Sequence, residues 1–409
     1  MKVHSNTQAE SLNSGEEKVE SKIKIFKESL GVFFFNFGEI LAGSLAVYFI
    51  SLVLVKRWVI MIYPLVLGVR GAVNGVLSGR LSTGLHVKLI EPSLRGNTKY
   101  YYSILASIYA LSLISSLTIG FLAFFLSLIF YQTALSEFPL IIFSCIVTKA
   151  IALLVTAPFT SLLGFLAFRK GLDPDIVIYP VSSMVADIWA TISYILTLSM
   201  AFTFGLIGNI MLYAVGLGFI FTVVYLTYRF RSESEYWKTL KEAVFSILAV
   251  GLIEAIGGFF LSRIKTQIER SPGVLLIYPA LMATTGSAGA IFGSISTTKL
   301  VLGLTEPSFK GIKNEISDLL QIGAASFIMY LIYSLIAYIG EKTLTTFLIP
   351  IICFLIIFPT MSLISFSMAI LTFTRGLDPD NFVIPFETAL TDTLLTLTLT
   401  TLIILLYPI

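Results

Sequence analysis

Long apolar runs separated by short polar breaks cover most of this 409-residue chain. A helix that crosses a membrane needs about 20 mostly apolar residues, and eleven runs meet that length. They fall near residues 29–55, 58–85, 101–132, 138–168, 176–202, 205–228, 243–262, 272–304, 319–340, 344–374 and 382–408. The pattern therefore predicts an all-α integral membrane protein with eleven transmembrane helices.

Two stretches recur along the chain and indicate an internal duplication. Residues 62–96 are echoed by residues 277–311 at a constant shift of 215, without gaps. Residues 171–188 are echoed by residues 376–393 at a constant shift of 205. Transporters are often built from such repeats, and their substrate sites lie between the two copies.

The repeats divide the chain into four segments. We expect a cytoplasmic polar tail at 1–28, a first five-helix repeat at 29–203, a linker helix with a charged loop at 204–242, and a second five-helix repeat at 243–409. Five spans would leave the chain on the opposite face, so the sixth helix returns it. The two repeats are then parallel, related by a two-fold axis along the membrane normal, with a pathway on that axis.

Composition limits the partners. Hydrophobic residues make up 56% of the chain and charged residues 12%, so we expect lipid to surround most of it. The net charge of +3 is spread over many breaks, which excludes the basic stripe of a nucleic-acid binder. The only cysteines are Cys145 and Cys353 and the only histidines are His4 and His86, so any metal must be bound by oxygen atoms.

The distribution of Lys and Arg predicts the orientation. Most of them lie in the breaks after even-numbered spans, which by the positive-inside rule are cytoplasmic. Exceptions such as Lys56 and Arg263 lie in the other breaks. We predict a multi-pass protein of the cell membrane with a cytoplasmic N-terminus. Because one chain holds both repeats, we also predict that a monomer suffices.

Four of the acidic residues inside apolar runs form two matched pairs. Asp187 and Asp392 lie in the fifth helix of each repeat, 205 residues apart, while Glu39 and Glu254 lie in the first helix of each repeat, 215 apart. A carboxylate in hydrocarbon is costly and usually functional, although an interhelical hydrogen bond is the structural alternative. These residues are the first candidates for cation ligands.

Other oxygen atoms surround these acids along the sequence. Ser183 and Thr388 lie about one helical turn before each Asp, Pro180 and Pro385 each free a backbone carbonyl, and the amide of Asn74 could line a pathway. Mg²⁺ keeps several waters and needs only one or two carboxylates, whereas Ca²⁺ needs more protein oxygens than the pattern supplies. The candidate metal ligands are Asp187, Asp392, Ser183, Thr388, Glu39, Glu254 and Asn74.

Basic and small residues in the apolar runs favour structural roles. Arg70, Arg80 and Lys149 have no charged counterpart in the second repeat, and we expect them to pair with Glu39 or Asp187, or to reach an interface. Gly71, Gly75 and Gly79 have the spacing of a close helix contact. The GLDPD loops at 171–175 and 376–380 are either helix caps or cation-attracting mouths.

Two motifs resemble a known family. The string DPxxxxxPxxxxxxD, at Asp173 to Asp187 and Asp378 to Asp392, is similar to the final-helix motif of the MgtE magnesium channels. Arg80-Leu81-Ser82-Thr83 resembles a stretch of the related eukaryotic solute-carrier magnesium transporters, which also carry two fused halves. The resemblance implies that Asp187 and Asp392 are pore ligands, beside the carbonyls of Ser183 and Thr388.

The leading hypothesis is therefore transport of divalent cations, foremost Mg²⁺, between the two repeats, with the ion as substrate and no cofactor or enzymatic reaction. One alternative is a sodium- or proton-coupled cation exchanger in which Glu39 or Glu254 carries the driving ion. An alternative of another class is an intramembrane aspartyl protease, because two carboxylates that share a proton can activate water. The repeat origin of the two Asp and their sequence context weigh against the protease.

Overall fold

The prediction of eleven transmembrane helices is confirmed. A computed structural model describes residues 24–170, 174–375 and 379–406, and it gives side chains outside 174–180 and 379–386. Helices dominate this described part of the chain, which contains no strand. Eleven of its helices are long and apolar enough to cross a membrane. They are α1 (Lys24–Tyr48), α2 (Arg57–His86), α3 (Lys99–Tyr131), α4 (Phe138–Arg169), α5 (Pro174–Phe202), α6 (Gly205–Phe230), α7 (Ser234–Arg263), α8 (Gly273–Val301), α9 (Ile316–Glu341), α10 (Leu344–Arg375) and α11 (Pro379–Leu406).

The helix α1 is interrupted in the membrane. Its two parts, Lys24–Asn36 and Glu39–Tyr48, are separated at residues 37 and 38. Short helices at Ile50–Val53 and Lys265–Arg270 and 3₁₀ turns at Leu135–Glu137 and Phe309–Glu315 connect other spans. The interruption places Glu39 in the first turn of the second part of α1, where an acidic side chain is favoured by the helix dipole.

The first helix of each repeat packs against the other repeat. Helix α1 contacts α8 and α9, and helix α7 contacts α2 and α3. Two glycines related by the 215 shift make this possible: a Cβ on Gly43 would overlap the carbonyl oxygen of Leu276, and a Cβ on Gly258 would overlap that of Met61. Met61 and Leu276 are themselves 215 residues apart, so the same contact is made twice. The repeats are therefore interlocked.

The central and peripheral helices differ in burial. Helices α2 and α8 are the most buried of the spans, whereas α6 is the least buried. The major contacts of helix α6 are with α3, α4 and α5. Apolar side chains on its other face, such as Leu206, Ile207 and Phe221, are exposed. This arrangement fits a linker on the outside of the first repeat, facing lipid.

The small residues of α2 behave differently from the sequence expectation. A Cβ on Gly79 would meet no neighbouring atom within 4 Å among the described residues, so the predicted close helix contact there is wrong. Gly68, three residues before Gly71 in α2, does make a close contact, with the carboxyl group of Glu254. The spacing of small residues did not reveal which face of α2 meets α7.

Candidate cation site

The four predicted intramembrane acids lie in two pairs that interact with each other. The Glu39 carboxyl group is buried and lies close enough to Asp187 to interact with it electrostatically. The Glu254 carboxyl group is buried and interacts electrostatically with Asp392. Asp187 and Arg70 also lie close enough to Asp392 to interact with it electrostatically. One electrostatic cluster thus contains an acid pair from each repeat.

The interlocking of the repeats positions these pairs. Helix α1 carries Glu39 between α5 and α8, and helix α7 carries Glu254 between α11 and α2. Glu254 fits there because Gly68 of α2 has no side chain in its way. On α11, Thr393 donates a hydrogen bond of 2.9 Å to the carbonyl oxygen of Ile253, next to Glu254. Each acid pair therefore lies where the two repeats meet.

Two tyrosines border the acid pairs at equivalent positions. Tyr63 and Thr191 hydroxyls are 3.4 Å apart, and the hydroxyls of Tyr278 and Thr396 are 2.7 Å apart. Tyr278 lies close enough to Glu254 and Asp392 to interact with both electrostatically. The repeated Tyr and Thr residues were present in the sequence at the 215 and 205 shifts, so a complete comparison of the repeats could have identified them.

Arg70 is bound to the first acid pair. Its guanidinium forms an ion pair with Asp187 and donates hydrogen bonds to the carbonyl oxygen and the hydroxyl of Ser183, at 3.3 and 3.4 Å. The expectation that Arg70 pairs with an intramembrane acid is confirmed for Asp187. The residue at the equivalent position of the second repeat is Thr285, whose hydroxyl donates to its own helix at Leu281.

Asn74 lies in a hydrogen-bond network with Ser182 and Thr160. Its amide donates to the Ser182 hydroxyl at 2.9 Å and accepts from Thr160 at 3.0 Å. The second repeat fills the same space differently, because a Cβ on Gly289 would overlap the carboxyl group of Glu387. Glu387 stands 205 residues after Ser182, so a charged side chain replaces the Asn and Ser of the first repeat.

Glu387 is the functional candidate that the sequence prediction omitted from its ligands. It is fully buried on α11 and accepts hydrogen bonds from Ser365 and Thr391 through Oε1, at 3.0 and 3.1 Å. Its Oε2 atom has no hydrogen-bond partner among the described residues. Its position in an apolar run could have identified Glu387 as a candidate. It was omitted because the equivalent residue of the first repeat is not acidic.

Of the other charged candidates, Arg80 is separate from the acid pairs, whereas Lys149 lies close enough to Asp187 to interact with it electrostatically. Arg80 pairs with Glu235 and Glu242 near the start of α7, and Lys149 donates a hydrogen bond of 3.1 Å to the carbonyl oxygen of Val66. Arg80 therefore forms ion pairs, but its partners are not the predicted Glu39 or Asp187. Residues 171–173 and 376–378 of the GLDPD loops lie outside the residues that the structure describes, as do the side chains of 174–180 and 379–386, which include Pro180 and Pro385.

The chemistry of the cluster suits a cation that keeps its water. Within the described ranges, no three His, Cys, Asp or Glu side chains come close enough to hold a metal ion without other ligands. Mg²⁺ does not need such a cage, because it sheds water reluctantly and is commonly held by one or two carboxylates. An acid pair of one Glu and one Asp matches that requirement.

Buried carboxylates between interlocked helical repeats define a membrane transporter of cations. The comparisons with known proteins agree. The sequence profile of the MgtE family, described as divalent cation transporter, matches residues 63–197 and 278–402, which are most of the chain. The chain belongs to the MgtE family of divalent cation transporters. The two matched segments run from α2 to α5 and from α8 to α11.

Two mammalian proteins are similar to the chain. Solute carrier family 41 member 3 of Mus musculus is 24% identical over 369 residues, which cover 83% of this chain and 73% of the relative. The protein of the same name from Rattus norvegicus is also 24% identical over 369 residues, covering 83% of this chain and 77% of the relative. No solved structure matches the chain.

Proposed function

We propose that this divalent cation transporter carries Mg²⁺, along a path between the two repeats that passes the acid pairs. The observation that carries the proposal is the electrostatic cluster in which Glu39 with Asp187 and Glu254 with Asp392 lie at the repeat interface. Ser183 and Thr388 stay predicted ligands beside the two Asp. Asn74 is a weaker candidate, since its amide is already engaged by Ser182 and Thr160.

Reconstituted liposomes that contain a Mg²⁺ indicator test this proposal. We expect Mg²⁺ to enter liposomes that contain the wild-type chain. The Asp392→Asn variant should lose at least about nine-tenths of that flux, because weakening the interaction with the ion by only about 1.4 kcal/mol gives a tenfold loss. The matched control is Asp318→Asn, the same chemical change at the start of α9. Asp318 forms an ion pair with Lys299 of α8. Undiminished flux in Asp392→Asn would falsify the assignment of the path.

Ion-coupled exchange is the second candidate. It is favoured by the buried Oε2 of Glu39 and Oε1 of Glu254, which have no hydrogen-bond partner among the described residues and could bind a proton or Na⁺. If exchange operates, Mg²⁺ uptake will rise when Na⁺ or H⁺ is more concentrated inside the liposome, because the driving ion leaves as Mg²⁺ enters. A passive path gives a flux that follows the Mg²⁺ gradient and membrane potential alone.

We also place the protein in the cell membrane as a monomer with its N-terminus in the cytoplasm. Support comes from Lys56 and Arg263, two of the side chains that break the positive-inside pattern. Each contacts a nearby acidic or aromatic side chain, which accounts for a basic residue on the outer face. Lys56 pairs with Glu137 at 2.8 Å, and the guanidinium of Arg263 lies 4.8 Å from the centre of the Phe259 ring. Labelling of an N-terminal tag in intact and in permeabilised cells tests the orientation.

A further inference from the structure

The two repeats differ at three buried positions near the acid pairs, and each difference moves the charge in the same direction. Arg70 corresponds to Thr285, Lys149 corresponds to Phe354, and Ser182 corresponds to Glu387. The first repeat thus has two buried acids balanced by two buried bases. In the second repeat the buried Glu254 and Glu387 accompany the half-buried Asp392, and none of its described residues places a buried base beside them.

The side chains of the first two differences line equivalent cavities in the two repeats. In the first repeat, Arg70 and Lys149 line a cavity of about 30 Å³ between α2, α3, α4 and α5. Thr285 and Phe354, at the equivalent positions, line a smaller cavity of about 10 Å³ in the second repeat. The two cationic side chains are therefore additions to a shared framework, and they belong to one repeat.

Arg70 occupies the place where a cation would meet the first acid pair. Its guanidinium binds Asp187 directly and also takes up both oxygen atoms of Ser183, the carbonyl and the hydroxyl. These oxygens would otherwise be available to a hydrated divalent ion. A second positive ion brought to Asp187 would be repelled by the guanidinium at short range.

No described base forms an ion pair with the second acid pair, and the Arg70 guanidinium acts on Asp392 only from a distance. Oε1 of Glu254 and Oδ1 of Asp392 have no hydrogen-bond partner within the described chain, although Glu254 is 1% exposed. Glu387 adds a third carboxyl group five residues before Asp392 on the same helix, and it interacts with Asp392 electrostatically. Unpaired buried carboxylates are strongly disfavoured unless a cation or a proton satisfies them.

We propose that Arg70 is a tethered counter-ion that takes the place of a metal ion in the first repeat, so that the transporter binds one divalent cation, at Glu254 and Asp392 of the second repeat. This inference rests on the proposed function and adds a stoichiometry and a position to it. Arg70 acts on the ion through Asp187 and is a specificity-determining residue rather than a ligand. Glu387 draws the ion toward the second repeat.

Titration of the purified full-length chain in lipid nanodiscs with Mg²⁺ tests the inference. We expect one site in the wild type. Arg70→Thr, which installs the residue found at 285, should gain a second site or bind at least tenfold tighter, while Arg70→Lys should keep one site because the charge remains. Thr285→Arg, the mirror change, should weaken binding at least tenfold by placing a guanidinium beside Asp392.

The double variant Arg70→Thr with Asp187→Asn guards against misfolding, because it removes the ion pair without leaving a buried charge. We expect it to lack the second Mg²⁺ site that Arg70→Thr gains, because the carboxylate that would hold that ion is gone. One unchanged site in a folded Arg70→Thr protein, or a second site that persists in the double variant, overturns the inference. Absence of Mg²⁺ binding and flux in the wild type would instead contradict the proposed function, so the two failures are distinguishable.

Discussion

The carboxyl group of Glu254 lies directly against Gly68, so that a Cβ on Gly68 would overlap its Oε1 atom. The two residues belong to different repeats, and their contact positions the second acid pair relative to α2. A glycine at 68 is thus required by the acid rather than by helix packing alone. Its counterpart by the 215 shift is Ala283, so this close contact is specific to one side of the interface.

The contact gives a first prediction. Gly68→Val should push Glu254 away from Asp392 and lower Mg²⁺ flux about tenfold or more, since overpacking a filled site costs about 1–3 kcal/mol. Gly79→Val is the matched control on the same helix, because a Cβ there meets no described atom within 4 Å. Flux assays in liposomes measure both. Equal flux in the two variants would show that Glu254 is not placed by Gly68.

A second prediction concerns the interlocked helices. Gly43→Ala and Gly258→Ala should each lower the apparent melting temperature in detergent, because each Cβ would overlap a backbone carbonyl oxygen that cannot move independently of its helix. We expect a cost of about 1–3 kcal/mol for each change. Gly31→Ala in α1 has open space and should be neutral or stabilising by about 0.5–1 kcal/mol. A drop in stability in Gly31→Ala equal to that in Gly43→Ala would contradict this account.

Asn74 provides a third prediction, which separates a structural role from a ligand role. Asn74→Ala removes the hydrogen bonds with Ser182 and Thr160 and should destabilise the protein by about 1–3 kcal/mol. The Mg²⁺ concentration that gives half-maximal flux should change by less than about threefold, well under 1 kcal/mol. Thermal unfolding and flux titration on the same preparation measure the two quantities. A large shift in that concentration with unchanged stability would make Asn74 a ligand.

The fourth prediction compares the two tyrosines that border the acid pairs. Tyr278→Phe loses a buried hydrogen bond of 2.7 Å to Thr396, whereas Tyr63→Phe loses a longer one of 3.4 Å to Thr191. Hydrogen bonds between membrane helices average about 0.6 kcal/mol and reach about 1.7 kcal/mol. We expect Tyr278→Phe to be the more destabilising of the two in reversible unfolding measurements. The reverse order would place the tighter interaction in the first repeat.

Comparison of the two repeats explains which parts of the site could be predicted. Constant shifts in the sequence showed that Asp187 corresponds to Asp392 and that Glu39 corresponds to Glu254. Duplicated residues keep equivalent positions in a duplicated fold. Glu387 did not stand out in this way, since its counterpart is Ser182. The prediction that Arg70 pairs with an acid left two partners open, and only the packing of α2 on α5 selects Asp187.

The sequence by itself determined the eleven spans, the duplication and the identity of the four matched acids, because hydropathy and repeat shifts are properties of the chain read in order. The tertiary structure decided that α1 and α7 cross into the opposite repeat, that Gly68 meets Glu254 and that Arg70 holds Asp187. Lipid tails are as apolar as leucine, so an apolar helix face can pack against lipid or against another helix with the same sequence pattern. Which residues face each other in the membrane is therefore fixed by helix packing over long sequence separations.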